Sequence, residues 1–478
     1  MKQVKVVIGK NFGDEGKGAT VHRVCAGKQA VVVRHNGGAQ AGHTVEEGNF
    51  RFVFHQMGSG SLAGCHTFWS RTFLPDLLKL DEEVEGFRVA AENILPGAED
   101  LDKRAGQKPT DSTGKTEEET TGNRKFPQIY AHPECACTVI YDVLLNSLTE
   151  TLRGSAKHGS CGMGIYEATR RNQQESYILR LKDFAQLDVV SLVSKLQRIR
   201  EEYTRPQVQN LHKEYGAAFD RPEITQWVEL IEDENVLWNA TEQMYENFHK
   251  YVELKDWQEI WETYDTIVFE NAQGLMLDRE NEEYYPHLTP SYTGLYNIVN
   301  LLREVASCKC SGEWTGGSQV MQGRLPVETA GNRQVLPEGF DSRSGSGEVL
   351  PTDCEMEIFY VTRSYVTRHG MGRLDYECTK EEINSHMVDK TNVPNPWQDA
   401  LRYAKHPDGE EFWKYIRKDL QKLQDLPETV KVSIALCVNH LDETRGKVLF
   451  AEGAMSLAEL QELCQKQGMD KVYAWYPD

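Results

Sequence analysis

The first forty-four residues leave this chain little choice of fold. Val4-Lys5-Val6-Val7-Ile8 is short, apolar and β-branched, the make-up of a strand buried in a parallel sheet. Gly9-Lys10-Asn11-Phe12-Gly13-Asp14-Glu15-Gly16-Lys17-Gly18 follows at once, and then a helical segment from Ala19 to about Ala26. A second apolar run, Ala30–Val33, leads into Arg34-His35-Asn36-Gly37-Gly38-Ala39-Gln40-Ala41-Gly42-His43-Thr44. A strand that turns through glycines into a helix N-terminus aims backbone N–H groups and a positive dipole end at an anion. Lys17 adds a point charge at phosphate range. The spacing is not that of a Walker A loop, because six residues separate Gly9 from Gly16 and Gly18 replaces the metal-binding hydroxyl residue after Lys17. Two carboxylates, Asp14 and Glu15, stand inside the loop instead. A carboxylate at a phosphate site is repelled unless it binds a metal or takes a proton, so either is a candidate metal ligand or base.

With 478 residues the chain can bury a large core. A formal charge of −20 argues against a nucleic-acid or anionic-membrane partner. No apolar run reaches the length of a membrane span, and the first residues run straight into a strand without a signal peptide. Eleven irregularly spaced cysteines suit a reduced, cytoplasmic setting, and the pairs Cys135/Cys137 and Cys308/Cys310 are too closely spaced for a usual zinc site.

Gly13-Asp14-Glu15-Gly16-Lys17-Gly18, followed by Gly37-Gly38-x-x-Ala41-Gly42-His43-Thr44, closely resembles the adenylosuccinate synthetase family, which joins IMP and aspartate at the expense of GTP. The rest of the chain carries the resemblance on in order. Glu270-Asn271-Ala272-Gln273-Gly274 is similar to the family's Glu-Gly-Ala-Gln-Gly, Tyr285–Thr289 to its Tyr-Pro-x-Val-Thr, and Thr367–Gly372 to its Thr-Arg-x-Gly-x-Gly. Asn439-His440-Leu441-Asp442 stands where the family has Thr-Lys-Leu-Asp. A carboxylate there accepts both N1–H and the 2-amino group of guanine, a pairing adenine cannot make.

The resemblance implies a catalytic set of Asp14, Lys17, His43 and Gln273, with Mg²⁺ on the Asp14 carboxylate and the Gly42 carbonyl. It implies nucleotide contacts from Gly13, Glu15, Gly16, Gly18, Gln40, Ser160, Cys161, Thr289, Arg368, Asn439, His440 and Asp442. Arg170 or Arg171 takes the place of an arginine that reaches across a homodimer to the partner's nucleotide. Two departures concern the amino acid: Met163 replaces a family arginine, and the arginine-rich aspartate loop is replaced by residues 389–398. Thr391, Asn392 and Arg402 are then the candidates for that substrate.

The expectation is one doubly wound α/β domain over residues 1–478: a mostly parallel, open twisted sheet with a P-loop-like nucleotide site, helices on both faces, and insertions near 82–126, 186–262 and 307–353. The expected activity is GTP-dependent formation of adenylosuccinate. One alternative is a related ligase acting on dGMP, similar to the phage 2-aminoadenylosuccinate synthetases or using another amino acid, although that group has a smaller residue in place of Asp14. The other is a nucleotide-binding sensor without turnover.

Overall fold

A computed structural model describes residues 1–92, 126–154, 162–308, 353–385 and 401–475. Its centre is a nine-stranded sheet. In chain order the strands are β1 (Lys2–Gly9), β2 (Ala30–Arg34), β3 (His66–Trp69), β4 (Ile129–Ala131), β5 (Val252–Leu254), β6 (Thr266–Gly274), β7 (Cys354–Arg363), β8 (Val430–Asn439) and β9 (Lys471–Ala474). Across the sheet they lie β9-β8-β7-β1-β6-β2-β3-β4-β5. Every pairing is parallel, with β1 in register beside both β6 (Val6 opposite Phe269) and β7 (Val6 opposite Ile358).

The apolar runs explain why the sheet is covered on both faces. Val4, Val6 and Ile8 of β1 join one core cluster together with Val31, Val33, Ile267, Phe269, Ile358 and Leu436. The alternate residues Val7, Val32, Val268, Phe359 and Ala435 point into a second cluster on the other face. Strands buried on both faces cannot alternate apolar with polar, which is why they read as continuous Val/Ile runs. Helices Trp257–Thr263 and Tyr296–Cys308 cover the first face; α1 (Lys17–Cys25) covers the second through Val21 and Cys25.

A third apolar cluster joins hairpin His43–Glu47/Phe50–Phe54 to helices Leu80–Ala91, Ile140–Arg153, Val189–Ile199 and Glu234–Tyr251. The helical region expected as an insertion at 186–262 is thus packed into the body of the molecule through Leu192, Leu196, Leu237 and Met244. Of its tryptophans, Trp257 and Trp261 are buried, Trp227 bonds Thr151, and Trp238 lies on the surface. The other two expected insertions fall largely outside the described residues.

The connections set the site. From β1 the chain steps out through β2, β3 and β4 to the β5 edge, returns to β6 beside β1, and continues through β7 and β8 to the opposite edge. The order reverses at β1/β6, and open α/β sheets bind ligands outside the carboxyl ends of strands at such a reversal. Gly9, Arg34, Gly274, Arg363 and Asn439 are the last residues of the strands that meet there.

Candidate functional site

The glycine loop after β1 is folded around its own carboxylate. Glu15 is buried; one of its oxygens accepts N–H bonds from Asn11 (2.8 Å) and Gly13 (3.0 Å), and the other pairs with buried Lys17 at 3.2 Å. A β-carbon on Gly9 would lie 2.5 Å from that second oxygen, so only glycine admits the carboxylate. Glu15, expected among the nucleotide contacts, is therefore spent inside the loop, where it replaces the anion that would otherwise organise those N–H groups.

Asp14 stays outside this arrangement. Its backbone is left-handed (φ 59°), its side chain is partly exposed, and its Oδ2 lies 3.3 Å from His369 Nε2. The loop is clamped from the neighbouring strand ends: Arg363 Nε donates to the Asp14 carbonyl, and Asn439 Nδ2 donates to the Glu15 carbonyl at 2.7 Å. Gly16 (φ 86°) leaves no room for a β-carbon, which would stand 2.6 Å from Asn439 Nδ2.

The second loop, after β2, is zipped to the end of β6. Asn36 exchanges two hydrogen bonds with the Ala272 backbone (2.8 and 3.0 Å), and His35 pairs with Asn271 at 2.9 Å. This holds Gln40 and Gln273 on either side of Gly37, where a β-carbon would be 3.3 Å from Gln40 Nε2 and 3.7 Å from Gln273 Oε1. Both amide oxygens are buried without a hydrogen-bond partner, as is Thr289 Oγ1. Gln273 also has a left-handed backbone (φ 59°) and lies against Gly13. Buried polar atoms are satisfied in the great majority of cases. The two orphaned amides beside Gly37 mark a place for a polar ligand.

His43 opens the hairpin and reaches the middle of β6. Its Nδ1 lies 2.5 Å from Glu270 Oε1, while Ser59 donates to Glu270 through both its N–H (2.9 Å) and its hydroxyl. Burial pulls His43 down to about 4 against the opposing pull of Glu270. Burial pushes Glu270 up, but His43, Arg34 and Ser59 outweigh it and hold the carboxylate at about 2. The pair is thus an ionised Glu270 accepting the Nδ1–H of a neutral imidazole. That fixes the tautomer and leaves buried Nε2 with its lone pair and no partner.

The remaining predicted residues divide. The Arg368 guanidinium lies 4.4 Å from the Phe12 ring, donates to the Arg373 and His287 carbonyls, and keeps Nε unpaired. Burial, then nearby Arg402, lowers it to about 10. His440 (φ 57°) sits 3.4 Å from Glu443, and Asp442 is exposed at the end of β8. Gly18 packs against His43, and Gly42 is exposed beside it. Arg170, with a side chain 41% exposed, is the more accessible arginine of its pair and holds Glu167 and Gln207 at 3.4 Å.

Arg171 corrects the expectation. It is fully buried, forks onto Asp142 at 2.8 and 2.9 Å, and donates to the Cys137 and Tyr177 carbonyls, so it is a structural brace and cannot reach another subunit. Arg402 is likewise committed, to Glu377 and to the Gly372 carbonyl at 2.7 Å. Ser160, Cys161, Thr391 and Asn392 lie outside the described residues. Glu270, His369, Asn36 and Arg363 were missed as site residues; for Glu270 the signals available were a carboxylate following the apolar run Thr266–Phe269 and its place at the head of the Glu270–Gly274 motif.

Fold and site together define a doubly wound α/β protein with a glycine-rich anion cradle at its switch point. Residues 6–97 match the adenylosuccinate synthetase family model. The adenylosuccinate synthetase of Picrophilus torridus is 37% identical over 91 residues, covering 19% of this chain and 22% of that protein. That of Ectopseudomonas mendocina is 28% identical over 295 residues, 60% of this chain and 56% of that protein. The chain therefore aligns with little more than half the length of the longer curated match. Fully ligated adenylosuccinate synthetase from Plasmodium falciparum shares the fold at a TM-score of 0.54 and 15% identity, covering 94% of this chain and 79% of that one. Cyanophage S-2L succinoaminodeoxyadenylate synthetase, bound to dGMP and dATP as an energy donor, does so at 0.51 and 12%, covering 100% and 93%. The chain is thus similar to adenylosuccinate synthetases in sequence, with the family model confined to residues 6–97, and shares their fold over most of its length.

Proposed function

We propose that this protein is a GTP-dependent C–N ligase that phosphorylates the 6-oxygen of a purine mononucleotide, IMP, and displaces the phosphate with the amino group of aspartate. The observation that carries the reading is the division of labour between the two loop carboxylates. Glu15 is neutralised inside the loop, while the left-handed Asp14 keeps a partly exposed carboxylate beside His369, in the loop whose Gly13 packs against Gln273.

In this reading Asp14 takes the N1 proton of the lactam, and the charge moves to the 6-oxygen, to which the side-chain N–H₂ groups of Gln273 and Gln40 donate. That oxygen forms a bond to the γ-phosphorus as the bond to the β-bridging oxygen breaks and GDP leaves. The amine then adds at C6, and the C6–O bond breaks with the phosphate. His43 is neutral in the free enzyme, and the negative charge of a bound triphosphate raises its proton affinity, so Nε2 becomes a donor to the transferring phosphoryl group. Positioning and charge neutralisation carry most of such a transfer. Mg²⁺ fits the donor set, since a phosphate-bound magnesium needs only one or two protein oxygens and Asp14 offers a partly exposed carboxylate. The Asp14 carboxylate and the Gly42 carbonyl would hold it, and it would supply charge neutralisation at the β- and γ-phosphates. A homodimer, with Arg170 reaching the partner's nucleotide, completes the proposal.

The test is phosphate release by the purified protein with Mg²⁺-GTP, IMP and aspartate, each omitted in turn. Release that requires all three supports the reading. The S-2L relative, whose described complex holds dGMP, supplies a second acceptor; release with dGMP and not IMP would move this protein to that substrate. Asp14→Asn is expected to reduce turnover at least about 1,000-fold with nucleotide affinity kept within about threefold. Unchanged turnover removes Asp14 from the role of base.

A further inference from the structure

Behind the first limb of the glycine loop lies a cavity of about 520 Å³ that shares none of the residues assigned above to nucleotide, metal or amino acid. Its floor is Lys10 and Phe12, its walls include Tyr284, Tyr376 and Tyr415, and Lys405 stands on its rim. Lys10 is the unusual member. Only 4% of it is exposed; its Nζ lies 3.1 Å from Asn11 Oδ1 and 3.8 Å from the centre of the Phe412 ring. Among the described residues neither Lys10 nor Lys405 has a carboxylate within ion-pair distance. The cavity's other charges are already paired, Arg373 with Asp375 at 2.7 Å and Glu411 with Lys414 at 3.0 Å.

A buried ammonium is almost always matched by an anion, because desolvation costs several kcal/mol. Among the described residues no carboxylate pairs with Lys10, and Glu15 acts on it only from beyond ion-pair distance. The neighbouring aromatic walls offer a face for a flat ring, and the volume is that of a small-molecule site. We propose that this cavity is a second ligand site, which takes a small anion carrying an aromatic ring, with Lys10 and Lys405 holding the charge and the tyrosines holding the ring. Because Lys10, Asn11 and Phe12 run directly into Gly13 and Asp14, an occupant would bear on the loop that carries the candidate base.

Lys10 also gives the site a pH signature. Burial lowers its ammonium to about 7 against the pull of Glu15. His406, whose own proton affinity burial and then Lys10 depress to about 3, stays neutral throughout the range in question. The charge facing the cavity on Lys10 is thus present at pH 6 and largely gone by pH 8.5, and affinity for an anion falls with it.

Calorimetric titration of the full-length protein with 1-naphthyl phosphate, 1-naphthoate and uncharged 1-naphthalenemethanol tests this. The expected result is one-to-one binding of at least one of the two anions at pH 6, about tenfold or more tighter than the alcohol. The stronger of the two identifies phosphate or carboxylate as the preferred head group. Binding is to weaken about tenfold or more between pH 6 and 8.5, to survive excess GTP and IMP, and to be lost with its pH dependence in Lys10→Met. If Lys10→Met does not fold, Lys405→Met decides, with a loss of about threefold or more at unchanged thermal midpoint expected. No preference for the anions, an unaffected variant, or competition by the nucleotides each overturns the proposal. None of these readings depends on ligase turnover.

Discussion

At the residue scale, the site works by withholding partners. Glu270 spends its charge on orienting His43, and Glu15 spends its own on the loop, while Asp14 meets His369, and His43 Nε2 and the Gln40 and Gln273 amide oxygens stay unpartnered. Replacing Glu270 by Gln keeps the volume but removes the acceptor that fixes the Nδ1–H tautomer. Steady-state phosphate release should show kcat down about 100-fold and KM within about threefold; an unchanged kcat would leave the His43–Glu270 pair a structural one. The loop residues were legible because glycines and charges clustered at a strand end have no packing purpose. The Glu270 partnership was not, since the two residues are 227 positions apart and nothing in a sequence records which strands become neighbours. Arg171 was misread for a related reason: a charge looks the same in sequence whether it faces solvent or, as here, a buried aspartate.

At the element scale, the loops are held by close backbone contacts between strand ends. Gly274 closes β6 against the first loop, where a β-carbon would come 2.2 Å from the Asn11 carbonyl oxygen. Gly274→Ala is therefore expected to cost about 2 kcal/mol of stability and to displace Asn11 and Gly13. Denaturant titration measures the first and loss of turnover the second; an Ala variant with wild-type stability would mean the loop tolerates the shift. The apolar strands were readable one at a time from their Val/Ile runs, and their order in the sheet was not, because the central ones are buried on both faces and so look alike.

At the scale of the whole molecule, the stability of the sheet is tied to pH by a buried acid. Asp419 accepts the Leu295 N–H at 2.8 Å and the Tyr360 hydroxyl at 2.9 Å, and burial raises it from 3.8 to about 7 despite both bonds. A group whose folded proton affinity is raised stabilises below its unfolded value and loses that contribution as pH climbs to the folded one. In Asp419→Asn the amide oxygen still accepts the Leu295 N–H, the amide N–H₂ donates to the Tyr360 hydroxyl oxygen instead, and no charge is buried, so its stability relative to the wild type should rise by about 2–3 kcal/mol between pH 5 and pH 8. Denaturant unfolding at the two pH values checks it, and a gap that does not widen contradicts the burial of an acid. Sedimentation should in turn give twice 54.5 kDa if Arg170 serves a partner's site.

Oxygen transfer is the most direct test of the chemistry assigned to this site. If the 6-oxygen attacks the γ-phosphoryl group and later leaves with it, turnover of IMP labelled with ¹⁸O at C6 must place one labelled oxygen in each phosphate released. Phosphate carrying only solvent and GTP oxygens would contradict the account.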